Sequence, residues 1–190
     1  MSCTREAPVR TAATAGLILV AAAALALRPT IIADHPLSPS DRMWLLAVLY
    51  IAIGGASLLP PMSRDRASLS PAAVGAIGIG AIGIAWWTAG PTAPLLIGPA
   101  GVLLSFLAAV AEEALFRRLA YGHLLRFGVP AAIVGAAFLF ALVHIPSYGL
   151  AAFPVDLGAG LLFGWQRWAA GTWTVPAATH AAANLLAVIR

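Results

Sequence analysis

The stretch Ala111-Glu112-Glu113-Ala114-Leu115-Phe116-Arg117-Arg118 sets four charges at the end of a long apolar run, since no residue from Pro94 to Ala111 is ionisable. A carboxylate at membrane depth costs on the order of 2.5 to 3.5 kcal/mol on insertion scales, so two adjacent ones need a reason. On a helix Glu113 and Arg117 are i,i+4 neighbours in the favourable order, acid first. Arg117 then neutralises Glu113, while Glu112, about 100° round the helix, faces something else. Only Arg117 stands four residues from Glu113, so Arg118 is expected to point to headgroups or solvent; a simpler reading has the two glutamates marking where the helix leaves the bilayer, with Arg117 and Arg118 in headgroups. Two histidines, His144 and His180, each on its own apolar stretch downstream, favour the first reading. Ionisable residues inside a membrane usually face one another or a wet cavity.

Working outward, the 190 residues are 61% hydrophobic and 9% charged, with a mean hydropathy of +0.92. A soluble surface needs about a quarter charged residues, so the chain is expected to be a polytopic membrane protein. Its net charge of +4 and pI near 10.2 would suggest a nucleic-acid partner in a soluble protein. Here the arginines fall between apolar segments and serve as topology signals; nucleic acid is excluded and the bilayer is the partner. The single cysteine, Cys3, rules out an intramolecular disulfide.

The expected class is all-α, a bundle of about seven transmembrane helices. Thr14 to Leu27 is an apolar run closed by Arg28, read as an uncleaved first span although Ala24-Leu25-Ala26 resembles a signal-peptide cleavage site. A Pro-rich loop holding Asp34, His35, Asp41 and Arg42 follows. Span two runs from Met43 to Leu59. Span three, Ala72 to Ala89, carries Gly75, Gly78, Gly80 and Gly83 as a face for close helix approach, and Trp86-Trp87 as an interfacial anchor. Span four extends from about Pro94 to Phe127, where Gly128 and Pro130 break it. Span five, Ala131 to Val143, ends at His144-Ile145-Pro146. Span six covers about Leu150 to Trp168, with Pro154 and Asp156 inside it, and the last runs from Gly171 through His180 to Arg190. The chain divides into three N-terminal helices, 1–93, and a core, 94–190.

With the N-terminus inside, Arg5, Arg10, Arg64, Arg66, Arg117, Arg118, Arg126 and Arg167 fall on the inner side, and Arg28, Arg42 and Arg190 on the outer. The asymmetry predicts a cytoplasmic N-terminus in the plasma membrane.

Spans four and five, folded as an antiparallel hairpin near Gly128, put Glu112 and His144 each about 16 residues, or roughly 24 Å, from the turn. They lie level. His180 reaches the same depth if the hairpin tip projects roughly 10 Å further into the cytoplasm. His180 and Asn184 share one helix face. Either alone would serve as an interhelical hydrogen-bond link, but their joint occurrence with Glu112 and His144 points to chemistry. Asp156 is read as a carboxylate bonded to backbone freed by Pro154, or as reaching the outer surface.

Glu112-Glu113-Ala-Leu-Phe-Arg117, Phe140-Ala-Leu-Val-His144 and His180-Ala-Ala-Ala-Asn184 resemble, in order, the EExxxR, FxxxH and HxxxN motifs of the CPBP intramembrane protease family, which groups type II CAAX prenyl endopeptidases with bacteriocin-processing and immunity proteins. The resemblance spans about residues 95 to 188. It implies that Glu112 and His144 activate the attacking water, that His180 and Asn184 bind the oxyanion, and that Glu113 and Arg117 support them. These types suit peptide hydrolysis, because a desolvated Glu is a competent base and aimed His and Asn donors stabilise an oxyanion. The cofactor is none or a single zinc ion: His144, His180 and Glu112 also form a zinc set, no HExxH pattern decides the matter, and no acidic partner is evident for both histidines.

The leading function is therefore an intramembrane endopeptidase cutting near the cytoplasmic face, its substrate a peptide or protein, lipidated or not. A non-catalytic membrane partner or bacteriocin-immunity protein on the same fold is the alternative. A proton-coupled transporter would also bury Glu and His, but the outward side offers few polar residues besides Asp156.

Overall fold

The computed structural model describes residues 6–33, 37–61, 68–88 and 98–188, and all regular structure among them is helical. His35 and the Arg64-Asp65-Arg66 cluster lie outside the described residues. The helices are α1 (Glu6–Ala26), α2 (Arg28–Ala33), α3 (Pro39–Leu58), α4 (Pro71–Thr88), α5 (Pro99–Glu113), α6 (Tyr121–Leu124), α7 (Val129–Tyr148), α8 (Phe153–Ala170) and α9 (Thr174–Val188). A π-helical segment, Ala114–Ala120, joins α5 to α6 without a break.

Among the described residues five stretches are long and apolar enough to cross a membrane: Thr11–Thr30, Pro39–Leu58, Pro71–Thr88, Pro99–Phe127 and Val129–Tyr148. The last two helices fall outside this set. α8 carries Asp156, Gln166 and Arg167 along 18 residues, and α9 has only 15.

Helix ends follow the local sequence. Ser38 caps α3 by accepting the Asp41 amide at 3.2 Å, with Pro39 at the first turn, where its missing N–H costs nothing. α7 is bounded by Gly128 (φ 97°) and Gly149 (φ 77°), backbone values that side-chain-bearing residues adopt rarely. Two expectations at proline fail. α7 does not stop at His144 but continues through Pro146 to Tyr148, so burial of the face that carries His144 outweighs the lost amide donor. Pro154 is not interior either; it occupies the first turn of α8, after a 3-10 turn at Leu150–Ala152.

The core gathers Ile18, Ala21, Ala22 and Leu25 of α1, Tyr50 and Ile53 of α3, Leu115, Phe116 and Leu119 of the π segment, and Phe140, Val143 and Phe163. Gly160 lets α8 press on α7: a Cβ there would stand 2.9 Å from the Ala137 Cα, a distance no side chain tolerates. Of the glycines on α4, Gly78 is buried beneath the Gln166 amide, which donates to the Val74 carbonyl (3.1 Å) and the Thr179 hydroxyl (2.9 Å). Gly80 and Gly83 have nothing beside them, so only part of that face is used. Of the tryptophan pair, Trp87 is exposed while the Trp86 indole N–H donates to the Leu186 carbonyl at 3.1 Å.

Three arginines read as topology markers are spent on internal contacts. Arg28 begins α2 and is buried. Arg167 is fully buried, its Nε donating to the Arg117 carbonyl at 3.1 Å. Arg118 does not point to headgroups or solvent: it donates to the carbonyls of Ser57, Leu58 (2.9 Å) and Pro60 (2.8 Å), satisfying groups that the end of α3 leaves open.

Candidate active site

Glu112 and Glu113 are the last two residues of α5, both buried (3% and 0% exposed). The chain then widens into the π segment, where Tyr121 N–H bonds the Phe116 carbonyl five residues back. Such widenings recur at functional sites. Adjacent positions on a helix point about 100° apart, and the two glutamates accordingly have different partners.

Glu112 faces a cavity of about 720 Å³ whose lining includes Arg28, His144, Asp156, His180 and Asn184. Its Oε1 accepts from the Arg28 guanidinium at 2.6 Å, and its Oε2 lies 3.5 Å from His144 Nε2. The predicted level of Glu112 and His144 across the hairpin is what brings them together. His144 Nδ1 meets the Phe140 carbonyl at 2.7 Å. A carbonyl only accepts, so Nδ1 carries a proton and Nε2 is the nitrogen presented to Glu112.

Glu113 faces the bundle. Its Oε2 pairs with Arg117 Nε at 3.2 Å, the expected i,i+4 ion pair, both groups fully buried. Its Oε1 takes His180 Nδ1 at 3.0 Å. Each histidine therefore has an acidic partner, contrary to the sequence reading, which found none for both. Asn184 donates to the Ser105 carbonyl at 3.1 Å and keeps a second N–H for the cavity it lines.

Phe140 ties the two halves together. The Arg117 guanidinium carbon lies 4.9 Å from its ring centre and 5.5 Å from that of Phe163, and desolvated cation–π contacts of this kind reach about 2 kcal/mol. The same ring meets His180 edge-on at 5.7 Å, and His180 stacks on Phe163 at 5.2 Å. The aromatic four residues before His144 thus acquires a physical reason.

The zinc set does not assemble. Among the described residues no group of three His, Cys, Asp or Glu side chains is placed to hold a metal ion. His180 turns its Nδ1 to Glu113 instead of joining His144 on Glu112, and a guanidinium already occupies one oxygen of Glu112.

Sequence reasoning missed Arg28, Tyr50 and Tyr148. Arg28 also reaches Ser147 Oγ at 3.3 Å and the Tyr50 hydroxyl at 3.4 Å, and Tyr148 stacks on His144 at 5.7 Å. An available signal was that Arg28 falls inside the apolar stretch Thr11–Thr30, not beyond its end. Asp156 is half-buried and lines the cavity; its Oδ2 makes no hydrogen bond, to backbone or otherwise.

Long apolar helices around a cavity lined by Glu112, His144 and His180 define a multi-pass membrane protein. The family model described as type II CAAX prenyl endopeptidase Rce1-like matches residues 94–186, and over that stretch the chain belongs to this family. Membership implies an intramembrane protease acting on a peptide or protein. Neither a curated protein nor a solved structure matches the chain.

Proposed function

We propose that the chain is an intramembrane endopeptidase in which Glu112 and His144 activate a water that attacks the scissile carbonyl. The observation that carries this reading is the contact of Glu112 Oε2 with His144 Nε2 on the wall of the cavity. With Nδ1 protonated on Phe140, Nε2 and the carboxylate can each accept one proton of a bridging water, leaving its lone pairs for the carbonyl carbon. Glu112 takes the proton as the tetrahedral intermediate forms and returns it to the leaving amine. The oxyanion would be met by the free N–H of Asn184 and by His180 Nε2, which donates when the ring is imidazolium, its charge balanced by Glu113. Glu113 and Arg117 support this pair from behind. No step requires a metal, and the donor set gives none a place.

Within the same reading, α8 and α9 complete a seven-span bundle, residues 94–190 forming the catalytic core and 1–93 three spans packed on it, α1 and α2 together making the first. The full burial of Gln166 and Arg167 supports this, because polar groups at membrane depth must be enclosed by protein. With Arg28, Arg117, Arg118 and Arg167 withdrawn as internal, Arg5, Arg10, Arg64, Arg66 and Arg126 inside still outnumber Arg42 and Arg190 outside, so the N-terminus is cytoplasmic. The membrane is the plasma membrane.

The test compares membrane proteomes of cells carrying the wild type and Glu112→Ala. A fragment pair present only with the wild type, cut near the cytoplasmic face, is the expected result. Identical proteomes on full expression of both would leave the non-catalytic partner or immunity role as the reading of this fold.

A further inference from the structure

We infer that Arg28, from outside the matched family region, is a positioning residue of the active site, holding the carboxylate of Glu112 in the orientation that meets His144. The inference rests on the reading of Glu112 as the base. Eighty-four positions separate the two residues, yet their contact is the shortest ion pair at the site, 2.6 Å between groups 9% and 3% exposed. Arg28 is itself fixed from two other helices, by Ser147 of α7 at 3.3 Å and Tyr50 of α3 at 3.4 Å. Those two contacts are long and neutral, so they orient the guanidinium while the carboxylate supplies most of the attraction.

The geometry divides the labour between the two oxygens of Glu112. Oε1 is taken by Arg28 and Oε2 stands before His144 Nε2. A carboxylate pinned at one oxygen cannot rotate its other oxygen away from a water between Oε2 and Nε2. Without Arg28 the torsions of Glu112 are freed, and misplacement by about 1 Å can cost about 10²-fold in rate. Arg117 cannot substitute, because it is committed to Glu113 and to the ring of Phe140. A second consequence concerns charge. Arg28 is the counter-ion that accompanies Glu112 into the membrane, as intramembrane ionisable groups require, and it comes from the short α2, which the three-motif pattern does not cover.

The experiment uses the full chain reconstituted in lipid, with a peptide spanning the cleavage site found by the proteome comparison. Arg28→Gln is expected to lower kcat about 10²-fold with KM within threefold. Arg28→Lys should recover part of the loss, since it keeps the charge without the planar fork. Free guanidinium ion should restore Arg28→Ala, whose vacated space opens on the cavity, and should leave Glu112→Gln inactive. Wild-type kcat in Arg28→Gln beside an inactive Glu112→Gln would overturn the inference and leave the protease reading standing. Equal losses in Arg28→Gln and Arg28→Lys, with no response to guanidinium, would reduce Arg28 to a tie between helices. Wild-type activity in Glu112→Gln would instead remove the reading of the base, and this inference with it. Should the Gln and Ala variants fail to fold, Arg28→Lys decides: a lowered kcat at unchanged KM supports the role, and a wild-type kcat refutes it.

Discussion

Glu112 and Glu113 are neighbours in sequence, equally buried, each paired with one arginine and one histidine, yet they belong to different parts of the molecule. Glu112 looks into the cavity and draws its arginine from 84 residues away. Glu113 looks into the bundle and draws Arg117 from the next turn of its own helix. On the proposed mechanism, one residue of helical rotation separates the base from a group placed for architecture. Two carboxylates side by side at membrane depth are tolerable because each has its own counter-ion.

The sharpest way to break this comparison is to remove each carboxylate's charge while keeping its shape. Glu112→Gln retains size and most hydrogen bonds but cannot take a proton, so turnover should fall by about 10² to 10⁴-fold with substrate binding near wild type, while Arg28, left without its counter-ion on the wall of the cavity, should cost less stability than the loss at the fully enclosed Glu113. Glu113→Gln and Arg117→Ala should do the reverse at first order. Leaving one member of a fully buried pair uncompensated costs about 3 to 5 kcal/mol, to be read as loss of folded protein in detergent. Were the two glutamates interchangeable in both assays, the division between cavity and bundle would be wrong.

Arg118 sharpens the same point with a smaller effect. The sequence reading made it a bystander because only Arg117 is four residues from Glu113. Its guanidinium in fact closes the end of α3 through three carbonyls. Arg118→Ala should therefore lower stability by about 1 to 2 kcal/mol, given partial exposure of these charged hydrogen bonds, while kcat stays unchanged. A thermal-unfolding series over Arg117→Ala, Arg118→Ala and wild type should fall in that order of severity. A neutral Arg118→Ala would return the residue to solvent.

What could be read from the chain follows from how local each interaction is. The Glu113–Arg117 pair lies within one turn, and the level of Glu112 and His144 follows from counting residues on either side of one hairpin. Both were legible. The Arg28–Glu112 pair depends on how α1 and α2 pack against α7, α3 and the π segment, and no periodicity encodes that. Arg28 therefore looked like the flank of an apolar run, and Arg167 like a loop charge. Pro146 was misjudged in a related way: the backbone rule for prolines is local, but the burial of the helix face around His144 that overrides it is tertiary.

The smallest expected effect concerns Asp156, which shares the cavity with Glu112 and lies within electrostatic reach of His144 and Arg28 without a hydrogen bond to either. It sits in the first turn of α8, where a helix N-terminus favours an anion by about 0.3 to 1 kcal/mol, and Oδ2 makes no hydrogen bond. It contacts neither histidine through a hydrogen bond among the described residues, so it lacks the geometry of a second acid–base group. Half-buried and acting on the histidines and Arg28 only through its field, it contributes charge to the wall of the cavity. Asp156→Asn preserves shape and removes that charge. Turnover should change by less than about tenfold, because no proton transfer passes through it, and stability should shift by no more than about 1 kcal/mol, the weight of its helix-terminus interaction. The informative measurement is kcat for Asp156→Asn beside Glu112→Gln on one peptide. A fall of 10²-fold or more in the Asp156 variant would place a third carboxylate in the reaction, and the assignment of acid–base work to Glu112 and His144 alone would have to be given up.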